Sequence, residues 1–220
     1  MKQDFFSQGK NKEIEKKIKD FLNNQNDLLS ISTANSPRAV GDAIQEILED
    51  NFDKFISTEG KNFNSSFARR AMADLAFEDN NGNYYIIDVK THRLDTKFNM
   101  PNLTSVERLS RFYEDDNNNF TILLISYLIK NGILVVENVC FVPIEYLSWE
   151  CLTIGALGWG QIQITNSNNI IIKENLTRRS WMLELCDTML EFYPREILKT
   201  NKRIQKFEQI KQFWLAKESN

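Results

Sequence analysis

A short turn signal constrains this chain more than any other feature of its sequence. Asn81-Gly82 is a strong β-hairpin signal, because these residues readily adopt the left-handed backbone conformation that a tight turn requires. Apolar, aromatic and β-branched residues that suit paired strands lie on both sides of it, between Met72 and Thr91. The stretch therefore predicts a hairpin in which residues whose numbers sum to about 163 lie opposite each other.

This hairpin would bring two carboxylates and one ammonium group together. Side chains alternate in direction along a strand, so Asp88 and Lys90 share one face of the second strand. The predicted register places Asp74 diagonally opposite Asp88 and within a few ångströms of it. Two carboxylates this close repel each other unless a cation lies between them, and an oxygen-only pair with open water positions suits Mg²⁺. A neighbouring lysine can orient or deprotonate a water and neutralise charge on a phosphate.

An acidic residue followed by any residue and a lysine is common by itself. Glu15-Lys17, Glu59-Lys61 and Asp95-Lys97 have the same spacing. Asp88-Val89-Lys90 differs from them because it interrupts an apolar strand and has a second aspartate on the hairpin partner. The residues leave two interpretations open, a metal-dependent nuclease site and an ion-pair cluster at the surface.

The spacing of these charged residues resembles a known nuclease core. Asp74, thirteen intervening residues and then Asp88-Val89-Lys90 at a strand end are similar to the core of the PD-(D/E)xK nuclease superfamily. The chain departs from that pattern at Ala73, which stands where a proline would precede the first aspartate. The superfamily tolerates this departure, so the resemblance implies a metal-dependent nuclease.

A further resemblance extends over more of the chain. The block from Asp88-Val89-Lys90-Thr91 to Pro101-Asn102 resembles the HincII and EcoRV group of type II restriction endonucleases. Gln161-Ile162-Gln163 and the helix opening Thr177-Arg178 recur in the same order, so the resemblance covers residues from about 40 to 207.

The resemblance implies an enzyme that hydrolyses both strands of double-stranded DNA at a short palindromic site with Mg²⁺ and leaves blunt ends. It implies a homodimer that works alongside a cognate DNA methyltransferase. Asp74 and Asp88 would bind the metal, and Lys90 would position or activate the water. In the family an acidic residue on a helix completes the site. Glu46 is the candidate here, Asp42 and Glu49 are the alternatives, and a solvated helix face is the other interpretation of each.

The resemblance and the position of residues beside the hairpin also imply DNA contacts. The loop before residue 103 would approach the DNA, and the glycine-rich segment Gly155–Gln163 would enter the major groove, where glutamine can pair with adenine. The other interpretation of this segment is a turn into a strand with Trp159 in the core. The candidate contacts are Arg69, Arg70, Thr91, Arg93, Asn99, Met100, Pro101, Asn102, Gly155, Trp159, Gly160, Gln161 and Gln163.

The apolar runs predict an α/β fold with a mixed central sheet flanked by helices. Phe120 to Ile129 is a continuous apolar run, which is typical of a strand buried on both faces. Lys130-Asn131-Gly132 would turn the chain into a further strand, Ile133 to Val142. With the hairpin, these strands make a sheet of at least four strands around one core.

Helical periodicity predicts the remaining elements of a single domain, residues 1–220, with a catalytic core at 37–142 and the recognition loop and C-terminal helices at 143–217. The helix from Asn11 to about Leu29 could pack on the core or pair with its copy, and we favour the dimer. The other expected helices begin at Pro37, Leu103, Thr177 and Pro194. The last of these is basic on its exposed side and could line a DNA groove.

The composition of the chain argues against several classes of protein. A net charge of −3 argues against binding nucleic acid by bulk charge, although basic residues can still gather in one cleft. Three widely spaced cysteines indicate a reducing compartment and no zinc site, and a single histidine, His92, excludes histidine-based nucleases. We find no signal peptide and no membrane-spanning run, so we expect a cytoplasmic protein, and the resemblance implies a bacterial enzyme. The alternatives are a structure-specific repair or junction nuclease and a non-catalytic DNA-binding protein.

Overall fold

The computed structural model describes residues 5–6, 8–25, 31–56, 58–63 and 73–217. The chain forms two compact units, Met1–Asn175 and Leu176–Asn220, which are described separately.

The first unit contains two sheets. The larger has the strand order β1-β2-β3-β5-β6, and the smaller has the order β4-β8-β7. The strands are β1 (Gly60–Lys61), β2 (Leu75–Asp79), β3 (Tyr84–Arg93), β4 (Asn102–Ser105), β5 (Asn118–Lys130), β6 (Ile133–Pro143), β7 (Leu152–Gly155) and β8 (Gln161–Ile164). The helices are α1 (Lys10–Asn23), α2 (Ile31–Ala34), α3 (Pro37–Ile56) and α4 (Val106–Phe112). Strands β3 and β5 are parallel and the other pairs antiparallel, so the mixed sheet of an α/β fold is confirmed.

The expected hairpin is formed by β2 and β3. Leu75 pairs with Ile87 and Ala76 with Ile86, which shifts the register by one from the predicted sum. The shift arises in the turn, where Gly82 has a φ of 79° and the backbone N–H of Asp79 donates to the Asn83 carbonyl at 2.9 Å. One carboxylate oxygen of buried Asp79 accepts the backbone N–H groups of Asn81 and Asn83 and so stabilises this turn.

The strand β5 lies inside the sheet, between β3 and the edge strand β6. Its residues from Phe120 to Ile125 are buried, as the continuous apolar run predicted. The turn into β6 places Asn131 and Gly132 at φ values of 54° and 80°, the left-handed pair of a tight hairpin.

Helices α1 and α3 cover the sheet with their apolar faces. Ile14, Ile18 and Leu22 of α1 are buried in the core, beside the aromatic residues of the sheet. The side-chain amide of Asn11 also donates to the Phe141 carbonyl at 2.9 Å, which fixes α1 against β6. The face of α1 that we favoured for a dimer contact therefore packs on the core, the alternative interpretation of this helix.

A glycine sets the distance between α3 and β3. A Cβ atom added at Gly41 would lie 2.7 Å from the Oγ1 atom of Thr91, closer than real Cβ contacts come. Only glycine therefore lets α3 approach the strand that carries Asp88 and Lys90 this closely without displacement.

Two predicted elements begin or form differently. The expected helix at Leu103 begins at Val106, because residues 102–105 pair with β8. Ser105 precedes the helix but makes no side-chain capping hydrogen bond. The run Ile170-Ile171-Ile172 has the composition of a short strand, but among the described residues Ile172 forms only an isolated bridge with Leu147.

The second unit contains one helix, α5 (Arg178–Leu215). We expected two helices separated at Pro194, but the proline lies inside a continuous helix. Thr177 and Ser180 form a reciprocal capping box at its start. The helical spacing of apolar residues in both halves predicts a buried face on each, which is wrong for the second half. Trp181, Leu185 and Met189 are buried, whereas the apolar residues from 190 onward are largely exposed. None of the helices in the described parts of the chain is long and apolar enough to cross a membrane.

Candidate functional site

The β2–β3 hairpin brings Asp74, Asp88 and Lys90 together. Asp74 immediately precedes β2, and its backbone N–H donates to the Ile87 carbonyl at 3.0 Å. Its Oδ2 atom accepts the backbone N–H of Val89 at 2.8 Å, which turns the carboxylate toward β3. The Nζ atom of Lys90 lies 2.6 Å from the Oδ1 atom of Asp88. The three charged groups thus converge at one place on the sheet.

Asp88 is the most perturbed group of this cluster. Asp88 is only 5% exposed. Its Oδ2 atom is buried and has no hydrogen-bond partner within the described part of the chain. Burial raises the pKa of Asp88 to about 7. The Lys90 ammonium opposes that rise in pKa, and the Asp74 carboxylate adds to it. A buried carboxylate with an unpaired oxygen is a feature that active sites share more often than surface ion pairs do.

Helix α3 reaches this cluster through Gln45. The Nε2 atom of Gln45 donates to the Oδ1 atom of Asp74 at 2.9 Å and to the Oε1 atom of Glu49 at 3.0 Å. Both oxygens of Asp74 are therefore hydrogen-bonded, so its carboxylate is oriented. Gln45 was missed in the sequence, although Gly41, Gln45 and Glu49 recur every four residues along one face of the helix.

The acidic residues of α3 line an open cleft beside Gln45. Asp42 and Glu46 are exposed in this cleft, and Glu49 is half-buried. Of these three acids, Glu49 makes the hydrogen bond to Gln45 and is linked through it to Asp74.

Asp74 and Asp88 are the carboxylates that could hold a divalent cation. The described residues contain no group of three or more His, Cys, Asp or Glu side chains arranged to hold a metal. Mg²⁺ commonly needs only one or two carboxylates, because waters and substrate phosphates complete its coordination. The unpaired buried oxygen of Asp88 fits that requirement.

A small cleft of about 220 Å³ opens next to Lys90. It is lined by Arg38 at the start of α3, by Thr91 of β3 and by Asn99 and Pro101 of the following loop. Thr91, Asn99 and Pro101 were predicted to contact DNA, whereas Arg38 was missed. Its signal in the sequence is a basic residue in the first turn of a helix that starts at Pro37.

The other arginines predicted to contact DNA have different positions. The guanidinium of Arg93 makes two hydrogen bonds to Asp95, at 2.7 and 2.9 Å, so its charge is already paired. Arg69 and Arg70 lie outside the described residues. The buried ring of His92 is hydrogen-bonded through Nε2 to the Oδ1 atom of Asn168 at 2.8 Å, so it acts in packing this region.

The smaller sheet joins two segments that we predicted to contact DNA. Asn102 of β4 lies opposite Gln163 of β8, and the Gln163 Nε2 atom donates to the Asn102 Oδ1 atom at 2.5 Å. The backbone N–H of Ile164 also donates to the Pro101 carbonyl at 3.1 Å. Gln163 lies over Gly155, where an added Cβ would come within 2.7 Å of the glutamine oxygen. The two segments therefore form one surface.

The turn between β7 and β8 projects two apolar side chains. Leu157 is 68% exposed and Trp159 is 57% exposed, so the interpretation that placed Trp159 in the core is wrong. Gly158 and Gly160 have positive φ values, which the turn requires. Met100 is exposed, Gly160 is buried, and Gln161 is half-buried and pairs with Ser105.

The chain was also compared with known proteins. It matches no protein-family model, and it shows no significant similarity to a curated protein.

Proposed function

We propose that the protein is a type II restriction endonuclease, which hydrolyses phosphodiester bonds in both strands of DNA at a short palindromic site with Mg²⁺. The observation that supports this best is the convergence of Asp74, Asp88 and Lys90 around a buried carboxylate oxygen that has no partner among the described residues. An unsatisfied buried acceptor costs about 1–3 kcal/mol, so a purely structural ion pair gives no reason to keep one.

Each residue of the cluster has a role in this proposal. Asp74 and Asp88 would hold the cation, which when bound would polarise a phosphoryl oxygen and lower the pKa of water. Lys90 orients the attacking water and donates a hydrogen bond toward the negative charge that develops on the phosphate. Gln45 keeps the Asp74 carboxylate in one orientation through its 2.9 Å hydrogen bond. Arg38, in the cleft beside Lys90, is placed to pair with a neighbouring backbone phosphate.

The surface formed by β4, β7 and β8 supplies the contacts to bases in this proposal. Asn102 and Gln163 carry side-chain amides, which suit the adjacent donor and acceptor of adenine in the major groove. Their mutual hydrogen bond holds both amides in one orientation before DNA binds. Trp159 at the exposed turn adds an aromatic surface that can stack on a base or pack on the backbone.

Digestion of unmethylated plasmid and phage DNA of known sequence tests the proposal. We expect discrete fragments with Mg²⁺, and none with EDTA or with Lys90→Ala. The matched control is Lys61→Ala, which alters the exposed lysine of another acid-x-lysine triplet, Glu59-Gly60-Lys61, and should cut normally.

Other outcomes of the digestion would overturn the proposal. A smear, or cleavage of branched substrates without sequence preference, would favour a structure-specific nuclease of the same superfamily. Intact DNA on every template, with DNA binding that does not depend on Mg²⁺, would favour a non-catalytic DNA-binding protein.

A further inference from the structure

The C-terminal helix carries an apolar seam that the proposed chemistry does not use. From Leu183 to Trp214 of α5, mostly apolar residues recur at spacings that alternate between three and four residues. This is the spacing of the a and d positions of a coiled-coil heptad. The seam consists of Leu183, Cys186, Leu190, Tyr193, Ile197, Thr200, Ile204, Phe207, Lys211 and Trp214.

Every residue of this seam is exposed. Leu190 is 72% exposed, Phe207 68% and Trp214 62%. A contiguous exposed apolar stripe on a folded protein marks a contact with another surface. The seam is separate from the buried stripe of α5, Trp181, Leu185 and Met189, whose members recur every four residues. The helix thus has one buried stripe and, beside it, a longer stripe whose residues are exposed in the part of the chain that the structure describes.

The surface of the helix has a hollow at the seam. This hollow is lined by Thr200, Arg203, Ile204, Phe207, Glu208 and Lys211. These residues occupy the d, g, a, d, e and a positions of successive heptads, and the first four of them, d, g, a and d, form one of the four-residue holes of knobs-into-holes packing. In a coiled coil, such a hole accepts a side chain from the facing helix.

The charges beside the seam indicate what the facing helix is. In a parallel pair, a residue at g faces the residue five positions later, at e, on the other helix. Arg203 and Glu208 are such a g and e pair, and they carry opposite charges. Two identical helices would therefore form this attractive contact twice. Lys211 at a single a position favours one register and one oligomeric state at some cost in stability.

We propose that the seam of α5 pairs with the seam of a second copy of this chain in a parallel two-stranded coiled coil, and that this contact forms the homodimer. The proposal rests on the proposed function only in giving the dimer a use, because a palindrome presents two equivalent strands to be cut. The contact itself can be tested without DNA.

The mass of the full chain in solution, measured by light scattering after size-exclusion chromatography, tests the seam. We expect a dimer for the wild type and a monomer for Phe207→Glu, because the charge would enter the apolar contact. The matched control is Leu198→Glu, which changes an apolar residue of similar exposure that lies off the seam, 63% against 68%, and should remain a dimer. A monomeric wild type, or a Phe207→Glu variant that stays dimeric with unchanged helix content, would overturn the proposal.

Charge reversal tests the parallel orientation. Arg203→Glu should raise the dimer dissociation constant roughly tenfold, because it places like charges opposite each other in both copies. Adding Glu208→Arg should restore the dimer, since the attractive pair is then rebuilt with its signs exchanged. Failure of the double variant to recover would overturn the parallel register.

Cys186 provides a second test of orientation. It lies at a d position and is exposed, whereas Cys140 and Cys151 are buried. In a parallel dimer the two copies of Cys186 face each other, so mild oxidation should give a covalent dimer that Cys186→Ser abolishes. No crosslink in a dimeric wild type would contradict the parallel arrangement. Together with the digestion, these measurements separate the two proposals. A monomeric protein that still cuts DNA at a defined site would refute the dimer contact and support the proposed nuclease. A dimeric protein that cuts no DNA would support the dimer contact and refute the proposed nuclease.

Discussion

The β2–β3 hairpin and the helix α5 depart in opposite ways from the rule that apolar groups are buried and polar groups exposed. The hairpin buries the Asp88 carboxylate to 5% exposure inside an apolar sheet, whereas α5 leaves Phe207 68% exposed to solvent. A buried charge destabilises a fold unless a ligand or partner compensates it, and an exposed apolar stripe lowers solubility unless something covers it. The first departure therefore indicates chemistry, and the second indicates association.

Removing a carboxylate of the hairpin should have the largest effect on DNA cleavage and should leave association through α5 unchanged. Asp74→Asn and Asp88→Asn should each lower the cleavage rate by roughly 10³-fold or more, because each removes a charge that would hold the cation in the proposed mechanism. Plasmid cleavage under single-turnover conditions measures the effect, and the exposed Asp53→Asn on α3 serves as the control. Both variants should keep the mass of the wild type, since the hairpin takes no part in the proposed coiled coil. Near-normal cleavage by either variant would remove that residue from the site.

The buried charge should also appear as a dependence of stability on pH. The pKa of Asp88 is raised from 3.8 to about 7 in the folded protein, so the native state binds a proton that the unfolded state has released. The free energy of unfolding should therefore fall as pH rises through this window, by up to roughly 1.4 kcal/mol per pH unit. Below pH 3.8 the carboxyl is protonated in both states and this dependence disappears.

Urea denaturation in EDTA at pH 5 and pH 8 measures this dependence. Asp88→Asn should be nearly insensitive to pH over the window, because it cannot ionise, and it should be more stable than the wild type at the higher pH. Phe207→Glu should retain the dependence of the wild type when the two are compared as monomers. Equal slopes for the wild type and Asp88→Asn would show that Asp88 is not the group that titrates.

The close approach of α3 to β3 should give a smaller effect. Gly41→Ala should lower the free energy of unfolding by about 1–3 kcal/mol, because the new methyl group would lie 2.7 Å from Thr91 Oγ1. Thermal denaturation of Gly41→Ala, Thr91→Ala and the double variant measures it. The double variant should be more stable than the two single effects added together, because the clash is gone. Simple additivity would mean that this close contact does not limit the packing.

Replacing Gln45 should give the smallest effect, and it tests whether the orientation of the Asp74 carboxylate matters for cleavage. Gln45→Ala should lower the cleavage rate about tenfold, since it frees one oxygen of Asp74 while leaving the charge in place. Glu46→Gln, on the adjacent residue, is the matched comparison and tests the helical acid implied by the resemblance. A larger loss in Glu46→Gln than in Gln45→Ala would assign the main role of α3 to Glu46.

Short-range chemistry made much of the hairpin predictable. Both turns depend on local backbone preferences, because Gly82 in the first turn and Asn131 and Gly132 in the second adopt positive φ. Once the first turn forms, alternation along β3 brings Asp88 and Lys90 to one face, and the pairing with β2 brings Asp74 to them. The predicted register differed from the observed one by a single residue, because the turn holds one residue more than the simplest two-residue loop.

Residues that reach the hairpin from elsewhere could not be predicted in this way. Gln45 and Arg38 belong to α3, and nothing in their local sequence states which strand the helix packs on. The packing of α3 on the core sets that position, and Gly41 allows the helix to lie close to Thr91. Leu103 likewise has helical periodicity, yet its segment forms a strand because β8, some 60 residues later, pairs with it.

The sequence by itself determined where strands turn, which residues alternate, and that two aspartates and a lysine meet on one hairpin. These features depend on backbone preferences and on spacings over a few residues, so the local sequence is enough to specify them. Only the tertiary structure decided which apolar faces are covered. The faces of α1 and of the second half of α5 have similar periodicity, but Ile18 is buried and Ile204 is 52% exposed. Periodicity specifies that a face is apolar, whereas burial depends on whether a distant part of the chain reaches it.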